Sequence, residues 1–190
     1  DVLYFNSGLF KSTSTQDFID KLASLPLANQ PGTKWQYSVA VDVQGVIVER
    51  LTGKTLPQYM AENIFTPLKM VDTGFNVPES KSKRLATLYT YTDGSATSQI
   101  PTVWTKGFPP FDTLEAMVFA VPTPLPSGGG GLLSTTSDYA RFAQMLLSGG
   151  TLEGVQVLKP ESVRMMMTNQ LTPELIKTLS PTYPGLGFGM

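Results

Sequence analysis

The run Pro31-Gly32-Thr33-Lys34-Trp35-Gln36-Tyr37-Ser38-Val39 is the stretch whose residue types could do chemistry. A Pro-Gly turn leads into a short extended piece and then to a Tyr at the expected start of a helix. A helix N-terminus carries positive partial charge and unpaired N–H groups, so a phenol there is helped to release its proton. An unperturbed Tyr titrates near about pH 10, so neighbouring cations would have to do most of the lowering. The residue count makes Tyr37 more prominent. The chain has no His and no Cys, which excludes a Ser-His-Asp triad, a thiolate nucleophile and His- or Cys-based metal sites within it. Acid-base work near neutral pH then falls to Tyr, Lys or a carboxylate. Tyr37 also fits a plain buried aromatic at a helix start, and Ser38 a capping hydroxyl.

The elements that must hold this run can be read from caps and periodicity. Ser14 with Asp17 is a capping-box pattern, and Phe18, Ile19, Leu22 and Leu25 then share one helical face, closed by Pro26. After Tyr37, the residues Val39, Val43, Val46, Ile47 and Leu51 recur at helical spacing, with Gly53 as the C′ residue. Thr55 with Gln58 caps a third helix carrying Leu56, Tyr59, Met60 and Ile64, stopped by Pro67. A fourth starts near Ser134–Ser137, shows Tyr139, Phe142, Ala143 and Leu146, and ends at Gly149-Gly150. Pro160 and Pro173 suit the first positions of two short helices. Met165, Met166 and Met167 read as a buried helix face, and Trp35 as core. Residues 76–127 are rich in Pro, Thr and Ser; Thr87–Thr92 fits a short strand, and Trp104 is a candidate pocket residue. Gly185 to Met190 reads as the start of another strand.

Three further patterns invite a functional reading. Ser80-Lys81-Ser82-Lys83 fits Ser-x-x-Lys formally, but it sits in a polar stretch after Pro78 and does not open an apolar helix. Gly53-Lys54-Thr55 imitates the end of a phosphate-binding loop, yet Val48 stands where its first Gly is required. Gly128 to Gly131 either cradles an anion at the helix start near Ser134 or lets the backbone pass close to other structure.

Several segments taken together resemble the serine β-lactamase and penicillin-binding-protein superfamily, in its esterase-like branch. The Tyr37 run is similar to the Tyr-x-Asn motif of that superfamily. Val41 to Lys54 resembles the helix after it, Ile64 to Phe75 the Pro-Leu-Gly-Met and Asp-Thr-Gly-Phe segment that follows in the family, and Ser127 to Phe142 its Gly-rich turn into a helix. The likeness covers residues 25–78 and 127–167 well. It implies an α+β, two-lobed β-lactamase/transpeptidase-like fold, with this chain mostly the helical lobe of a single domain. It further implies a Ser in a Ser-x-x-Lys motif that attacks an ester or amide carbonyl, with Tyr37 as base and backbone N–H groups holding the oxyanion. The segment before Tyr37 is too short for that Ser, and the Lys-Thr-Gly or His-x-Gly motif is expected after Met190. The 190 residues are therefore expected to be an internal fragment whose partners include the rest of its own polypeptide.

Val39 departs from the motif. Where the lactamases place an Asn that hydrogen-bonds substrate, Val has no group to do so. This favours a carboxylesterase on small acyl esters, with β-lactamase, DD-peptidase and acyltransferase as rivals, and a non-catalytic binding module as the reading of another class. The candidate site is Tyr37 as catalytic base, with Ser38, Val39, Trp104, Gly129 and Gly130 toward substrate.

The resemblance implies a small-molecule ester or amide substrate and no metal or cofactor. Net charge is −1, with 14 Lys+Arg against 15 Asp+Glu, and no basic stripe suggests nucleic acid. No apolar run approaches the roughly 20 residues of a membrane span. The charged share, 15%, is low against the usual quarter, which suggests that much of the surface is covered. The residues leave the compartment open between cytoplasmic and periplasmic or secreted.

Overall fold

The computed structural model describes residues 2–86, 89–92, 95–98, 124–179, 187 and 189. The chain divides into two compact units, Asp1–Leu25 with Gly74–Leu133, and Pro26–Thr73 with Ser134–Met190.

In the first unit, α1 (Val2–Asn6) and a 3-10 turn (Leu9–Lys11) precede α2 (Thr15–Ala23). Ser14 caps α2 as its position predicts, its hydroxyl accepting from Asp17 N at 3.0 Å. The Asp17 carboxylate reaches back to Thr13 N at 2.9 Å, one residue further out than in a standard capping box. Phe18 turns inward to 1% exposure and Leu9 is fully enclosed. A second 3-10 turn (Glu79–Arg84) follows. β1 (Tyr89–Thr92) pairs antiparallel with β2 (Ser95–Ser98), Tyr89 opposite Ser98 and Thr92 opposite Ser95. The strand expected over Thr87–Thr92 is thus present as β1, its first two residues lying outside the described ones. Gly74 and Leu133 form an antiparallel bridge, Gly74 N to Leu133 O at 3.0 Å and Leu133 N to Gly74 O at 2.8 Å.

The second unit is built on α3 (Ala40–Thr52), α4 (Leu56–Met60), a π-helical turn (Ala61–Phe65) and α5 (Thr136–Leu147). Gly53 ends α3 in the left-handed region at φ 68, a conformation open to Gly at little steric cost. Thr55 then caps α4 by accepting from Gln58 N at 3.3 Å. The helix expected to run on to Ile64 changes pitch at Ala61, where Thr66 N bonds Ala61 O at 2.9 Å. That extra residue in the turn re-phases the apolar side chains. Phe65 and Leu68 both enter one cluster with Met70 and Met145, against which Ile64, Phe142, Leu146 and Leu152 pack.

After α5, Gly149 and Gly150 adopt φ 68 and 98. They lead into a hairpin of β3 (Thr151–Leu152) and β4 (Val155–Gln156). Its two-residue loop, Glu153-Gly154, has both φ values positive, 50 and 81, the signature of a type I′ turn matched to strand twist. Pro160 opens α6 (Pro160–Met166) and Pro173 opens α7 (Pro173–Ile176).

Four core expectations need correction. Ile47 and Leu51 are 48% and 82% exposed. The residues α3 buries are Val39, Gly45 and Val46, and each helical step turns about 100° around the axis, so Ile47 and Leu51 fall beside the buried stripe. Tyr139, placed on the apolar stripe of α5, is 66% exposed. Met165 and Met167 are 46% and 73% exposed, because three consecutive helical residues cannot share one face; Val163 is the residue α6 buries. Trp35 is half-buried.

Candidate active site

The turn before Tyr37 forms as its residues dictate. Thr33 N bonds Gln30 O at 3.2 Å, Pro31 occupies the second position and Gly32 the third at φ 77. That is the type II pattern, in which the third residue must take positive φ. Thr33 Oγ1 also donates to Gln30 O at 2.7 Å, and Asn29 Nδ2 donates to Gln36 Oε1 at 2.7 Å. Trp35 N donates to Thr178 Oγ1 at 3.0 Å, across 143 residues of sequence.

Tyr37 does not start the helix. Val39 is the N-cap and α3 begins at Ala40, so Tyr37 lies two residues before the cap and outside the first turn, where the helix field is strongest. Residues 34–38 are irregular, tied by the tertiary bond at Trp35 and the burial of Val39. Tyr37 is 77% exposed. The Ser38 hydroxyl accepts from Ala40 N at 3.2 Å. It thereby satisfies one of the orphan donors that Val39, with no side-chain acceptor, leaves unmet. Val39 is 8% exposed, its side chain spent on packing.

Gly129 and Gly130 lie exposed in a turn of the first unit. The close approach that the Gly run suggested occurs at Gly131. A Cβ there would stand 2.8 Å from Ser127 O and 3.1 Å from Phe75 Cδ1. Trp104 and most of Gly185 to Met190 lie outside the described residues.

The two motif look-alikes have structural explanations. Gly53-Lys54-Thr55 is the junction of α3 and α4: Gly53 ends one helix, Thr55 caps the next, and Lys54 pairs with Glu62. Ser80 to Lys83 lies in the 3-10 turn, where Ser82 Oγ donates to Glu79 O at 2.7 Å.

Three carboxylates are held below their ordinary range, each by an ion pair. Lys21, then Thr13 N, lowers Asp17; Lys54, then Gln58, lowers Glu62; Lys69, then Arg141, lowers Glu153. Among the described residues no group of three potential ligands could hold a metal ion, and no helix is long and apolar enough to cross a membrane.

Sequence reasoning missed two sets of residues. One is the network in which Asp138 Oδ2 accepts from Asp72 N at 2.7 Å and Thr73 Oγ1 at 2.9 Å, with Ser134 Oγ 2.8 Å from Thr73 Oγ1. The Thr135-to-Asp138 spacing, a capping pattern, is its sole local signal. The other is Thr178, which nothing in its neighbourhood of sequence marks.

Comparison with known proteins gives the chain its relatives. The family profile described as Beta-lactamase matches residues 2–190. An uncharacterized protein of Mycobacterium tuberculosis (strain CDC 1551 / Oshkosh) is 40% identical over 176 residues, 89% of this chain and 40% of that protein. The Lovastatin esterase of Penicillium rubens is 30% identical over 158 residues, 82% of this chain and 36% of that enzyme. The chain thus spans well under half the length of these relatives. Among solved structures, EstCE1, a hydrolase with promiscuous acyltransferase activity, superposes with TM-score 0.71 at 24% identity, covering 93% of this chain and 44% of that one. The likeness shows a β-lactamase-type fold, of which the described residues form a helix-rich part with small sheets. The expectation drawn from the Tyr37, Ile64–Phe75 and Ser127–Phe142 segments therefore holds at the level of family and fold: the chain belongs to the Beta-lactamase family, and its relatives in that family include esterases and an acyltransferase.

Proposed function

We propose that the complete protein is a serine hydrolase working through an acyl-enzyme, most simply a carboxylesterase on small acyl esters, with Tyr37 as its general base. The observation that carries this reading is the braced Pro-Gly-to-Tyr segment, in which the Gly32 turn, the Trp35 N to Thr178 Oγ1 bond and buried Val39 hold the backbone around Tyr37. In this reading the nucleophile is the Ser of a Ser-x-x-Lys motif in the complete protein.

In the proposed reaction the Ser oxygen forms a bond to the acyl carbonyl carbon as its proton passes to Tyr37, which enters the step as the phenolate. The tetrahedral intermediate collapses, the ester C–O bond breaks, and the leaving alkoxide takes the proton from Tyr37. Water then attacks the acyl-Ser, with Tyr37 again relaying the proton, and the carboxylic acid departs. An alcohol replacing that water gives acyl transfer, the activity named for one relative, Monacolin J acid methylbutanoyltransferase. Val39 supports the ester reading over β-lactam hydrolysis, since neither its chemistry nor its 8% exposure offers a substrate amide a hydrogen bond.

The test is intact-mass analysis of the complete protein quenched in acid during turnover of p-nitrophenyl acetate. The expected result is one acetyl adduct that maps to the Ser of the Ser-x-x-Lys motif. No adduct and no turnover would leave a non-catalytic binding module on this fold.

A further inference from the structure

We infer that Thr178 is a positioning residue for Tyr37, a role that rests on reading Tyr37 as the general base. With 77% of its surface exposed, Tyr37 cannot be held by packing alone. Among the described residues it belongs to no helix or strand, between the Gly32 turn and α3. The placement of its phenol therefore depends on where the backbone is tied on either side. On the downstream side, Val39 is buried and its carbonyl starts α3 by accepting from Val43 N at 3.1 Å. On the upstream side, two residues before Tyr37, Trp35 N donates to Thr178 Oγ1 at 3.0 Å.

The Thr178 hydroxyl is itself aimed. It donates to Leu175 O at 2.7 Å, so its one hydrogen is committed to the end of α7 and a lone pair is left for Trp35 N. Thr178 is half-buried, which limits competition from water for that lone pair. The bond joins two segments that no local interaction would bring together, and it fixes the backbone two residues before the reactive side chain. A base displaced by about 1 Å can lose on the order of 100-fold in rate, so a tie two residues from Tyr37 bears on turnover.

The experiment uses the complete protein and steady-state ester hydrolysis. Thr178→Val keeps the shape and removes the acceptor; we expect kcat to fall about tenfold, with KM within about twofold. Thr178→Ser keeps both hydrogen bonds and should restore kcat to within about twofold of wild type, a rescue that a packing role for the methyl group would not give. In a Tyr37→Phe background, Thr178→Val should add nothing, because the residue acts through the phenol. If the Val variant does not fold, Thr178→Ala takes its place in the same comparison. Wild-type kcat in the variant lacking the hydroxyl, a Ser variant as slow as it, or losses that multiply with Tyr37→Phe would each overturn the inference. A slow Tyr37→Phe beside an unaffected Thr178 variant would sink this inference alone, whereas an unaffected Tyr37→Phe would remove the reading of Tyr37 and this inference with it.

Discussion

Thr73 donates its hydroxyl hydrogen to Asp138 Oδ2 at 2.9 Å, joining the segment after the π-helical turn to the first turn of α5. A carboxylate only accepts, so that hydrogen is committed and Ser134, 2.8 Å from the same Thr73 oxygen, must be the donor to it. Asp138 also accepts from Asp72 N at 2.7 Å and is 4% exposed. Replacing Asp138 with Ala takes this acceptor from the Asp72 N–H and the Thr73 hydroxyl at a half-buried site. We expect a loss of about 2–3 kcal/mol in chemical denaturation. A loss below about 0.5 kcal/mol would show that the network carries no stability.

Lys69 and Glu153 meet at 2.6 Å, and Arg141 joins the same carboxylate at 3.0 Å. Lys69 first, then Arg141, holds Glu153 below the usual carboxylate range. The folded value is the lower one, so this contribution is complete above the unfolded value and disappears as pH falls through the folded value. Glu153→Gln should therefore lower Tm at pH 7, with the gap to wild type closing below about pH 4. A gap that stays constant across that range would contradict the ion-pair account.

Gly150 and Gly154 both have positive φ, 98 and 81, but their surroundings differ. A Cβ on Gly150 would stand 2.1 Å from Leu158 O, whereas one on Gly154 meets nothing within 4 Å. Gly150→Ala should destabilise by roughly 3 kcal/mol or more, and Gly154→Asn by under about 1 kcal/mol, since Asn tolerates the left-handed region. Equal losses in thermal melts would show that backbone strain, and not the Leu158 contact, dominates.

Val39 occupies the motif position given to Asn in the lactamases, and it is 8% exposed. Val39→Asn puts an amide where no partner is ready, at about 1–3 kcal/mol in stability. A melt unchanged from wild type would mean that the side chain reaches water or substrate.

Local chemistry was the legible part of this chain. Ser14, Thr55 and Thr135 cap helices because their hydroxyls meet the N–H three residues on, a relation contained in a few adjacent residues. The Pro31-Gly32 turn is legible for the same reason. Choice among apolar stripes was not. Val46 and Ile47 are both apolar, and which one faces inward depends on what α3 packs against. The pitch change at Ala61 was hidden too, because it goes with the burial of Phe65 and Leu68 against Met145, a residue far away in sequence. At the site, the motif pointed to Tyr37 but misplaced it at the helix start. The bonds that brace the segments, Trp35 to Thr178 and Thr73 to Ser134, span 143 and 61 residues and leave no local trace.

The account stands or falls on the Tyr37 phenol, and the most direct measurement is kcat/KM of the complete protein on a p-nitrophenyl ester with Tyr37→Phe. Phe keeps the ring and removes only the oxygen that would carry the proton. The account predicts a fall of at least about 100-fold, with Tm within a degree or so of wild type. Near wild-type turnover in a folded variant would contradict it.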